Sequence, residues 1–69
     1  MDQGTIKDFH ESERTGTLLT DDRTEVAIDE RSLEGAQIRT LRIGQRVRFD
    51  TEEHEGRRVA RSLRLVTVD

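Results

Sequence analysis

Residues 46–53, RVRFDTEE, set Val47 and Phe49 against Arg46, Arg48 and Asp50 at every second position. Side chains of an extended strand point alternately to its two faces, so this stretch reads as a half-buried β-strand, with one face in a core and the other in water. Three earlier stretches carry the same signal in shorter form: TIKDFH (5–10), TGTLLT (15–20) and TEVAIDE (24–30), separated by the charged, turn-prone ESER and DDR. Gly56 marks a turn after His54, and RRVARSLRLVTV (57–68) supplies a fifth β-rich run. In that run Val59, Leu63 and Leu65 form the expected inward set. Arg61 falls on the same parity, which implies a bulge or a place at a barrel rim.

Between the third and fourth runs, RSLEGAQIRTLRIGQ (31–45) offers Leu33, Ile38 and Leu41 to a helical face, but Gly35 and Gly44 interrupt it. It reads as a single helical turn followed by a long loop. Five short strands in 69 residues, with no proline and no linker, predict one all-β domain spanning 1–69, a small closed or nearly closed antiparallel barrel. Its expected core is Ile6, Leu18, Val26, Ile28, Leu33, Leu41, Val47, Phe49 and Leu63. That core is small, because 30% of the residues are apolar and 39% are charged, close to the composition at which a chain cannot offset the entropy of ordering.

The absence of cysteine excludes a disulfide framework and a thiolate zinc site. No apolar run approaches a membrane span, and the acidic start MDQGTIKDF lacks the features of a signal peptide, so a soluble, cytoplasmic protein is expected with no membrane partner. The net charge of −3 is unevenly divided: residues 1–34 hold ten acidic and four basic side chains, and residues 35–69 hold five acidic and eight basic. A polyanion would be repelled by much of the first half and drawn only to arginines of the second.

The stretches GTIKDF, TGTLL, EVAID and LRIGQRVRF together resemble the bacterial cold-shock protein family, over essentially the whole chain and without a gap. Gly4, Thr5, Lys7 and Phe9 fit the family's first-strand G-T-V-K-W-F, Gly16 and Leu18 fit its second-strand K-G-F-G-F-I, and Val26 and Ile28 fit its third-strand V-F-V-H. Gly35, Leu41, Gly44, Gln45, Val47 and Phe49 fit its loop and fourth strand. The resemblance implies a five-stranded antiparallel OB-fold barrel, with a short helical turn and long loop between strands 3 and 4. It also implies a role in transcription or translation, through a face that binds single-stranded RNA or DNA.

The departures fall on the residues of that face. Asp8 stands where the family has tryptophan, Thr15 and Thr17 where it has two phenylalanines, and Ala27 and Asp29 where it has phenylalanine and histidine. Glu30 replaces a further aromatic, Ile38 replaces a loop phenylalanine, and Glu13 and Arg14 replace the basic residue and glycine that open the second-strand motif. Each stacked base is worth about 1–3 kcal/mol in single-strand binding, and the new carboxylates repel phosphate. Threonine is also simply a good strand former on a solvated face.

Two function classes follow. In the first, the altered face of Asp8, Thr15, Thr17, Ala27, Asp29 and Glu30 contacts a protein partner with a basic surface, making the chain a small regulatory adaptor. In the second, single-stranded RNA or DNA is still held, weakly and with strong salt dependence, through Lys7, Phe9, Arg46, Arg48, Arg57, Arg58 and Arg61. Phe9 is either an exposed ring or one packed beneath the barrel rim. Arginines of the last two strands are expected to pair with Asp50, Glu52, Glu53 and Glu55. His10 and His54 lie in different turns, with no metal geometry imposed by spacing. No nucleophile motif and no phosphate loop is present, so neither an enzyme nor a cofactor is expected. The oligomeric state is left open.

Overall fold

A computed structural model describes residues 2–36 and 38–66. It contains β1 (Asp2–His10), β2 (Thr15–Thr20), β3 (Glu25–Ile28), a 3-10 turn η1 (Glu30–Leu33), β4 (Arg46–His54) and β5 (Arg57–Leu65). The strands close into a barrel in the order β1-β2-β3-β5-β4, with β4 returning to β1. The chain is thus an all-β, five-stranded barrel of the OB and cold-shock type, with the helical turn and long loop between β3 and β4. All pairings are antiparallel except the one between β3 and β5, made by the single rung Ala27–Val59. No helix among the described residues is long and apolar enough to cross a membrane.

All nine residues of the expected core are buried, and Phe49, Leu18, Val26, Val47 and Leu63 are wholly inaccessible. Ile38 and Ala60 join them. Ile38 belongs to no strand, and a loop side chain folded under the barrel leaves no periodic trace in the sequence.

Two irregularities set which residues face outward. In β1 the pairing slips between Ile6 and Asp8, so Lys7 and Asp8 oppose a single step of β2. Ile6 therefore points inward opposite Leu18, Asp8 points outward opposite Thr17, and Phe9 turns back to pack against the core over Gly16. A Cβ at Gly16 would collide with the Asp8 carbonyl and lie 2.9 Å from Phe9 Cα, so the strands meet closely because that position has no side chain.

The second slip, in β5, lies opposite Phe49: Arg48 pairs with Arg64, but Asp50 pairs with Arg61. The extra residue centres on Ser62, whose φ of 53° is left-handed. This is the bulge that the parity of Arg61 implies. Its effect corrects the expected inward set of β5: Leu63 is in the core, but Val59 pairs with outward Ala27 and Glu52 and lies outside the core cluster. Leu65 stands opposite buried Val47, on the inward side, but is left 43% exposed at the strand end. Residues 67 and 68, read as the end of this strand, lie outside the described residues.

β3 is shorter than the expected 24–30 because Asp29 leaves the strand to cap η1. Its carboxylate accepts from Ser32 N at 3.0 Å, while Asp29 N donates to Ser32 Oγ at 2.9 Å, a reciprocal capping box. The same fully buried hydroxyl donates to Ala60 O at 2.6 Å, tying the turn to β5. At the other end of β5, Glu55 and Gly56 both have positive φ, which is the two-residue geometry that matches strand twist in a tight hairpin.

Candidate functional site

Strand register alone builds the site. Asp8, Thr17, Ala27, Val59 and Glu52 stand in one row across β1, β2, β3, β5 and β4 on the outer surface. A neighbouring row starts with His10 opposite Thr15 and continues through Asp29 to Arg61, whose Nη1 lies 3.0 Å from Asp29 Oδ1. Beside them a cleft of about 450 Å3 lies between β1–β3 and the tip of the β4–β5 hairpin. Asp8, Thr15, Thr17, Ala27 and Asp29 all line it, so five of the six residues read as the altered face are brought together. Glu30 does not line it. It opens η1 and borders a shallower depression with Glu13, Thr15, Asp29 and Arg31.

Of Asp8, Asp29 and Glu30, the first two have partners within the barrel. Asp8 Oδ2 accepts from Thr17 Oγ1 at 2.9 Å. Asp29 is the cap of η1 and the counter-ion of Arg61; burial pushes its pKa up, but the Ser32 N–H and the Arg61 charge outweigh that and hold it below the ordinary value. Arg61 is largely buried, donates to Ala60 O at 2.9 Å, and places Nε 2.8 Å from Glu52 Oε2. That Nε–H is not aligned on the carboxylate, so the second contact is ionic, not a hydrogen bond.

The basic residues do not form one surface. Lys7 pairs with Glu25 at 3.1 Å, and Phe9 is turned inward. Arg46 is held by Asp21 at 2.8 Å and also donates to Thr5 Oγ1 and Gln3 Oε1. Arg48 stands exposed between Gln3 and Arg64 on the β1–β4–β5 side. Arg57 lines the cleft, and Arg57 and Arg58 border an adjoining groove with Thr24 and Glu25 that shares Thr17 and Ala27 with it. The expected arginine pairing within the last two strands is met by Arg61 and Glu52 alone among the described residues. Arg46 and Arg61 instead reach Asp21 and Asp29 on distant segments.

Four cleft residues were not legible as site residues from sequence. Val59 faces the cleft because the Ser62 bulge leaves it out of phase with Leu63. His10 and His54, 44 positions apart, both line the cleft, as does Glu55. Only the pairing register, which carries the hairpin tip back over β1–β3, could have joined them. Among the described residues no three His, Cys, Asp or Glu side chains are grouped to hold a metal ion.

Neither the models of known protein families nor the sequences of characterised proteins give a match to this chain. What defines its class is the closed five-stranded barrel itself.

Proposed function

We propose that the chain is a divergent cold-shock-like domain that acts by protein contact, a small cytoplasmic adaptor in transcription or translation whose outer face engages a partner with a basic surface. The observation that carries this reading is the row Asp8–Thr17–Ala27–Val59. It occupies the centre of the outer face without one aromatic ring, and the cleft beside it is lined by three carboxylates, Asp8, Asp29 and Glu55, against one guanidinium, Arg57. A face of that sign attracts cationic protein surface and repels phosphate.

Direct single-strand binding has less to draw on. Its one aromatic candidate, Phe9, is half-buried against the core, and Lys7, Arg46 and Arg61 are already paired with carboxylates. On this face stacking has only the imidazoles of His10 and His54, and counterion release only Arg57 against three carboxylates.

The test is charge reversal at Asp8→Lys with Glu30→Lys, leaving Asp29 intact because it caps η1. Affinity capture at moderate salt by the wild-type chain and by this variant is compared after both are shown to be folded. Loss of captured proteins supports the reading, and unchanged capture refutes it.

A further inference from the structure

The cleft under the hairpin tip is more specific than a diffuse negative field. Its floor is the central row of Thr17, Ala27 and Val59, the last buried at 7% exposure although outside the core cluster. Asp8 closes one end of that row. Adjacent strands are about 4.8 Å apart, so Asp8 and Ala27, two strands apart, are separated by about 10 Å. Long cationic side chains lay their methylene stems on such apolar surface while the charged head reaches a polar end.

We propose that this cleft seats one lysine or arginine side chain of the partner, its stem on Thr17, Ala27 and Val59 and its cation beside Asp8 and Glu55. This rests on the reading of the face as a protein-binding surface and names what the surface grips. Asp29 is committed to Ser32 N and Arg61, whereas Asp8 accepts one hydroxyl and Glu55 has no side-chain partner among the described residues. A nucleobase would find only the imidazoles of His10 and His54 and no larger ring, and a phosphate would meet three carboxylates against one guanidinium. An uncharged aliphatic side chain would cover the floor but leave Asp8 less hydrated with nothing gained in exchange.

The experiment is an NMR titration of the full chain with two probes: a glycine–serine peptide carrying three spaced lysines, and the same peptide with norleucine in their place. The lysine peptide is expected to shift the amides of Asp8, Thr17, Ala27 and Val59, and the norleucine peptide to leave them unmoved. Asp8→Asn with Glu55→Gln weakens the lysine peptide about fivefold, as expected for exposed charge pairs. Shifts confined to the surroundings of Glu13, Glu25 and Glu30 overturn the cleft assignment and leave the protein-facing surface standing. Equal binding of the norleucine peptide overturns the role of the cation, and no shift with either peptide overturns both the cleft and the surface.

Discussion

Ala27 on β3 stands opposite Val59 on β5, and this one parallel rung is where the barrel closes. A seam with a single rung has few backbone hydrogen bonds of its own. Side chains hold it: Ser32 Oγ reaches Ala60 O, and Arg61 reaches Asp29. Both clasps join the segment just after β3 to β5, so the wall of the candidate cleft and the closure of the fold depend on the same residues.

Ser32→Ala removes the hydroxyl that both accepts from Asp29 N and donates to Ala60 O. It leaves Asp29 N without this acceptor and Ala60 O with the Arg61 guanidinium in place of two side-chain donors, which costs about 1–3 kcal/mol. Urea unfolding is expected to show a lower midpoint with an unchanged slope, and a midpoint equal to that of wild type would refute the clasp.

Arg61 and Asp29 form the second clasp, and their coupling is measurable by a double-mutant cycle with Arg61→Met and Asp29→Asn. Each single substitution destabilises, and the pair is expected to be non-additive by about 1 kcal/mol, as for residues in one hydrogen-bonded network. Additive effects would mean that the ion pair contributes nothing at this half-exposed position.

The sequence made the strands legible because Val47–Phe49 and their counterparts alternate, and the core because burial follows that alternation. It misled where the period breaks. Ser62 inserts one residue and shifts the phase, so Val59 reads as inward when it faces the cleft. Asp29 reads as a surface carboxylate replacing a ring, yet its carboxylate caps η1, a role fixed by Ser32 three residues later. His10 and His54 read as unrelated turn residues, since nothing local reports that a hairpin tip folds back over another strand. Ile38 likewise enters the core through the path of a loop and not through any pattern.

The bulge gives a prediction of its own. Ser62 holds a left-handed φ of 53°, where a side chain carries a steric cost that glycine avoids. Ser62→Gly is expected to leave stability unchanged or raise it by up to about 1 kcal/mol, while Ser62→Val lowers it by more than that, because branching at Cβ is incompatible with that conformation. Thermal unfolding midpoints distinguish the two, and equal effects of glycine and valine would contradict the bulge.

Acid sensitivity follows from Asp29. Its folded pKa lies below the ordinary value, so its contribution to stability is present above the unfolded pKa of about 3.9 and is lost as pH falls through the folded value. Urea midpoints at pH 6 and pH 3 are expected to differ in the wild type and to differ less in Asp29→Asn. An identical drop in both would show that the carboxylate is not held in its charged form by the cap and Arg61.

The most direct measurement is a titration of the chain with labelled oligothymidine and mixed-sequence RNA at low and moderate salt, followed by amide shifts. The ringless row Asp8–Thr17–Ala27–Val59 predicts no micromolar binding at moderate salt and no saturable shift at those four residues. Micromolar or tighter binding with shifts centred on that row would contradict it, because bases would then be held by a face that has neither stacking surface nor favourable charge.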